Sequence, residues 1–166
     1  MHPYMLLLLL CGWSASSHCL PPKKMLLLQS KNKSSLIEEM LCLLENENTT
    51  LNKHLTTPTC IRSTNCACNN TEVFIHQLNS LESPCMKIVK SDMRKLRDSC
   101  SILKRKSAHE NSCSEMKTDF PKFRDNLEGF LRWLSQMDHC RNITRDELDL
   151  DGRSESSCSL HCTKRL

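Results

Sequence analysis

Residues 118–138 read Thr118-Asp119-Phe120-Pro121-Lys122-Phe123-Arg124-Asp125-Asn126-Leu127-Glu128-Gly129-Phe130-Leu131-Arg132-Trp133-Leu134-Ser135-Gln136-Met137-Asp138. At 100° per residue, Phe120, Phe123, Leu127, Phe130, Leu131, Leu134 and Met137 form one stripe, the pattern of a helix with a single buried face. Thr118 or Asp119 is placed to cap its start, and Pro121 falls in the first turn, where a missing amide hydrogen is tolerated. We expect this helix to be the structural centre. A stripe this apolar needs partners, and the rest of the chain supplies three.

The first partner places Leu36, Ile37, Met40, Leu41, Leu43 and Leu44 on a broad apolar face, with Ser34 or Ser35 as cap and Glu38 in the first turn. The second, about residues 70–82, lines up Phe74, Leu78 and Leu81 and is expected to stop at Ser83-Pro84. The third, about 86–105, aligns Met86, Val89, Met93, Leu96, Cys100 and Leu103, with Lys87, Lys90, Arg94, Arg97 and Arg105 towards the other side. Polar, cysteine-bearing connections separate them, and no internal repeat is present. The expected fold is all-α, four helices packed as one bundle. The long first connection allows a crossover in which consecutive helices run parallel.

Composition agrees with helices. The 166 residues include only seven aromatics and three Gly, too few turn glycines for a sandwich or a nucleotide-binding sheet. The formal charge of +4 is too mild for a dedicated nucleic-acid binder. Twelve cysteines require disulfides or metal. Met5 to Cys11 is a short apolar run followed by small residues at 12–17, so residues 1–19 read as a secretory leader cleaved at about 17–20. The alternative is a buried N-terminal helix, since no Lys or Arg precedes the run. No later segment is long and apolar enough to insert stably in a membrane. Removing Cys11 and Cys19 leaves ten cysteines (Cys42, Cys60, Cys66, Cys68, Cys85, Cys100, Cys113, Cys140, Cys158 and Cys162), enough for five bridges. Spacing alone does not choose their partners. Sequons at Asn32, Asn48, Asn69 and Asn142 add to the reading of an exported glycoprotein. Residues 20–140 then form the helical domain and 141–166 a polar tail.

Catalysis finds no setting. Cys66-Ala67-Cys68 and Cys158 to Cys162 with His161 lack the paired Cys-x-x-Cys spacing of structural zinc, and no other feature calls for a metal or cofactor. His139-Cys140 has no orienting group, and neither a phosphate-binding glycine loop nor a nucleophile elbow is present. Glu38-Glu39 and Asp149 to Asp151 read as adjacent surface acids. The expectation is a binding protein, not an enzyme.

Ser35-Leu36-Ile37-Glu38-Glu39-Met40-Leu41-Cys42-Leu43-Leu44 resembles the first helix of the short-chain haematopoietic cytokines of the interleukin-3, interleukin-5 and granulocyte-macrophage colony-stimulating factor group. Thr71-Glu72-Val73-Phe74 through Ser83 is similar to the second helix of interleukin-5. Cys113-Ser114-Glu115 with Phe123, Asp125, Leu127, Phe130 and Leu131 looks like its last loop and helix. Asp119-Phe120-Pro121-Lys122-Phe123-Arg124 resembles the corresponding helix of interleukin-3. The likeness spans about residues 34–138.

What the resemblance implies is an up-up-down-down bundle, secreted, that binds a specific α receptor and a common β-type class I cytokine receptor on blood and immune cells. On that reading Glu39 matches the receptor-contacting Glu of the first helix. Helical arithmetic places it beside Leu43 at a wet edge of the apolar face. Arg124 and the basic face of the third helix are further receptor candidates. Cys68 and Cys113 match the cysteines that join the interleukin-5 homodimer between chains, although the other cysteines have no counterpart there. Cys85 and Cys100, flanking the third helix, are also similar to interleukin-13, and ten mature cysteines suit interleukin-9. A cytokine of those groups with another receptor pair, or a non-signalling secreted disulfide protein, therefore stays open. Lys104-Arg105-Lys106 reads either as a weak glycosaminoglycan contact or as charge complementing a helix C-terminus.

Overall fold

The computed structural model describes residues 33–47, 53–106, 108, 112–138, 140, 158 and 162. In chain order these give α1 (Lys33–Glu45), β1 (Leu55–Pro58), α2 (Ala67–Asn79), α3 (Pro84–Ser99), the single turn α4 (Ser101–Lys104), β2 (Glu115–Thr118) and α5 (Phe120–Ser135). All four anticipated stripes form helices. The leader, Asn32, Asn48, Asn142 and the tail apart from Cys158 and Cys162 lie outside the described residues.

α5 forms where its stripe predicts. The Asp119 carboxylate accepts the Lys122 amide at 3.0 Å, closing the first turn, and Pro121 follows without loss. Phe120, Phe123, Leu127, Phe130, Leu131 and Leu134 are buried, while Met137 lies beyond the helix and is half-buried. Asp119→Ala is expected to lower unfolding free energy by about 1 kcal/mol, as for other N-cap deletions, measurable as a urea midpoint shift with unchanged slope. Gly129 serves a close approach: a Cβ there would meet the Ile61 Cδ1 at 3.0 Å, so the loop before α2 lies directly on α5.

The other boundaries differ from the sequence reading in instructive ways. Ser34 and Ser35 are inside α1, so neither is its cap. α2 begins at Ala67, earlier than expected, because Cys66 and Asn70 are tied locally: the Asn70 amide donates to the Cys66 carbonyl and its side chain to the Cys60 carbonyl. Ser83-Pro84 does not merely stop α2 but starts α3, with Pro84 at the head of the helix and the Ser83 hydroxyl donating to Glu47 beyond the end of α1. The third stripe is not one helix. Cys100 is extended (φ −106°, ψ 117°) and faces Cys140 in an isolated antiparallel bridge, with a disulfide between them. α4 resumes the apolar stripe with Leu103 buried.

A small sheet, unanticipated in an all-α reading, joins the two long connections. β1 and β2 are antiparallel, with Leu55 opposite Thr118 and Pro58 opposite Glu115. Leu55, Thr57 and Pro58 are buried while β2 is largely exposed, so β1 is the inner strand, lying against α2 and α5. Thr56 donates its amide to Gln77 of α2, and Asn126 of α5 donates to the Thr57 hydroxyl.

The core lies between α1, α2, α3 and α5. α3 packs on both α1 and α2, and α1 on α5. Phe74 of α2 closes the ring: its centroid is 5.6 Å from Phe123, edge to face, and 5.3 Å from Phe130. Leu36, Ile37, Met40, Leu43, Leu44, Leu78, Met86, Val89, Met93 and Leu96 fill the remainder.

Candidate functional site

Among the described residues four disulfides hold these elements: Cys42–Cys162, Cys66–Cys113, Cys85–Cys158 and Cys100–Cys140. Eight of the ten anticipated cysteines are thus bridged among themselves. Cys60 instead carries an exposed free thiol, and Cys68 is buried outside these four bridges. The interleukin-5 comparison placed interchain bonds at Cys68 and Cys113. Cys113 is taken by Cys66 of its own chain and Cys68 is only 8% exposed, so that dimer arrangement does not fit. Cys158 and Cys162 are four residues apart, one helical turn, and bond to α3 and α1 respectively. These two residues of the tail are thereby tied to the helical core.

Glu39 does not occupy a wet edge. It is 8% exposed on α1, three residues from Cys42 on the same flank. That flank carries the bond to Cys162, itself 4% exposed, and arithmetic on α1 alone could not register the cover. Its neighbour Glu38 is exposed, and among the described residues no ion pair engages it.

The last turn of α1 meets a ladder of charge on α5. Arg124, Glu128 and Arg132 recur every four residues and so share one side of the helix. Glu128, 19% exposed, lies 3.9 Å from Arg124 Nε and 3.7 Å from Arg132, which also reaches Glu45 of α1 at 3.9 Å. Arg124, 31% exposed, has Asp125 at 4.0 Å as well. Its Nε is buried and meets no hydrogen-bond acceptor among the described residues, so the carboxylates hold it by charge at ion-pair distance. Sequence reasoning named Arg124 but missed Glu128, Arg132 and Glu45. The signal was available in the alternating signs at four-residue spacing.

The basic face of α3 is partly engaged. Arg97 donates to Glu72 of α2 at 3.0 Å and to Asp98 at 3.2 Å, and the Glu72 hydrogen bond, ahead of Asp98, holds its pKa above the ordinary guanidinium value. Lys90 donates to Asn79, whereas Lys87 and Arg94 project into solvent. Exposed pairs like these add little stability but fix which side of α3 meets α2.

Asn69 is half-exposed in the first turn of α2, not in a loop, and Thr71 of its sequon is buried, donating to the Ala67 carbonyl. Among the described residues no helix is long and apolar enough to cross a membrane, and no group of three His, Cys, Asp or Glu is placed to hold a metal. Comparison with family models, with curated proteins and with solved structures finds no match to this chain.

Proposed function

We propose that this chain is a secreted cytokine of the short-chain four-helix type, which gathers a specific α receptor and a common β-type class I receptor to drive growth and differentiation of haematopoietic and immune cells. The observation that carries the reading is the way helix ends meet. Lys33 at the start of α1 donates to the Leu134 and Met137 carbonyls at the end of α5. Glu47, past the end of α1, meets Ser83 at the start of α3. Arg97 near the end of α3 meets Glu72 in the middle of α2, while Lys90, a full two turns earlier on α3, meets Asn79 at the end of α2. Packed neighbours therefore run antiparallel and the diagonals α1/α2 and α3/α5 parallel, which supports the up-up-down-down order with two crossover connections. The paired strands β1 and β2 are parts of those two connections.

A frame cross-linked in this way presents its helix faces at fixed angles, and little freedom is lost when receptors close on it. The α1–α5 ladder is the preferred receptor face, with Glu38 and Arg124 as reachable charges. Glu39, being buried, acts on this reading through the shape of α1. Charges at a rim contribute specificity and encounter rate more than raw affinity.

The test is a panel of class I cytokine receptor ectodomains immobilised and titrated with the refolded chain. Nanomolar association with one α-type ectodomain is expected, strengthened when a β-type ectodomain is added. The charge reversal Arg124→Glu is expected to weaken it about tenfold, chiefly through the on-rate. Absence of binding across the panel, together with no proliferative response of receptor-bearing cells at any dose, overturns the proposal in favour of a non-signalling disulfide protein.

A further inference from the structure

Lys104, Arg105 and Lys106 are three consecutive exposed cations, and among the described residues no ion pair engages any of them. The helix-dipole account of them fails on the geometry: α3 ends at Ser99, and α4, whose last residue is Lys104, is one turn long with Arg105 already extended. A macrodipole needs more aligned peptides than that. What the triplet does border is an open groove of roughly 560 Å³, lined by Thr64, Asn65, Ser101, Ile102, Arg105 and Lys106. Its volume falls in the range of small-ligand sites. Among the described lining residues there is no carboxylate and no aromatic ring.

We infer that this groove binds a sulfated polysaccharide. A sulfate group needs a cation beside neutral hydrogen-bond donors, and the lining of the groove includes both kinds, Arg105 and Lys106 with Thr64 and Asn65. Single-stranded nucleic acid would call for aromatic stacking surfaces, which the lining lacks. A membrane surface would call for exposed apolar anchors; Met116, on β2, is the exposed large hydrophobic among the described residues, and it does not line the groove. The four bridges are compatible with the secreted reading proposed above, and outside the cell sulfated glycans are abundant polyanions. The site lies away from the α1–α5 ladder, so it stands or falls independently of the receptor reading.

The probe is immobilised heparin, titrated with the full chain at several salt concentrations, with vesicles containing phosphatidylserine as a second arm. The double variant R105Q/K106Q is expected to bind heparin about tenfold more weakly, with a salt dependence shallower by about two counterions. Asn65→Ala, which leaves the charge intact, should weaken binding about threefold. The charge-matched control K87Q/R94Q, on the solvent side of α3, should change it less than twofold. Equal losses in the two double variants would reduce the effect to net charge and overturn the proposal. So would vesicle binding as strong as heparin binding, or no heparin binding at physiological salt. Thermal melts of each variant, unchanged for these exposed positions, show that a loss is not unfolding.

Discussion

Phe74→Ala is expected to lower the unfolding free energy by about 3–5 kcal/mol. The ring is fully buried and touches two others, Phe123 edge to face and Phe130 tilted, both from α5. Deleting it removes the transfer energy of the ring, leaves a cavity between α2 and α5, and forfeits two aromatic contacts of about 0.5–1.5 kcal/mol each. For a domain whose whole stability is about 5–15 kcal/mol, that is a third or more. Urea unfolding followed by far-ultraviolet circular dichroism measures it. A loss under about 1 kcal/mol would mean that α2 does not pack on α5, and with that the bundle itself would be wrong.

The second large effect concerns the stapled tail. Cys85→Ser with Cys158→Ser is expected to cost about 4 kcal/mol in chain-entropy terms. The sequence separations of 73 for Cys85–Cys158 and 120 for Cys42–Cys162 overstate the closed loop, because each bond shortens the path of the other. The ring that joins α1 to α3 through the tail comprises roughly 50 residues, and either bond is enough to open it. Under non-reducing conditions the melting temperature should fall on the order of 10 °C. Cys60→Ser, which removes an exposed thiol in no bridge, should leave it unchanged within about 0.5 kcal/mol. A fall for Cys60→Ser as large as that for the double variant would mean a different set of partners.

How far the sequence reaches follows from what each feature depends on. The stripes of α1, α2, α3 and α5 are local, since every residue needed to recognise them lies within a few turns, and all four were legible. The strand Leu55–Pro58 was not: four residues with a terminal proline show no alternation, and their extended form depends on Glu115–Thr118, nearly sixty residues away. The break at Cys100 was hidden for the same reason, because the apolar period runs unbroken from Met86 to Leu103 while the kink is imposed by Cys140. Glu39 shows the limit of arithmetic on a single helix. The angle was sound, but the flank it chose is the one bonded to Cys162. Arg124 was visible as a charge beside the stripe, whereas its coupling through Glu128 and Arg132 to Glu45 needs two helices in register.

The clasp at the chain end has a consequence for proteolysis. A cut anywhere between residues 141 and 157 severs the backbone but liberates no peptide, since the distal piece stays joined through Cys158 and Cys162 to Cys85 and Cys42. Nicked and intact molecules then migrate together on a gel until reductant separates them, so a protease in that stretch changes the ends of the polymer without changing its mass beyond one added water.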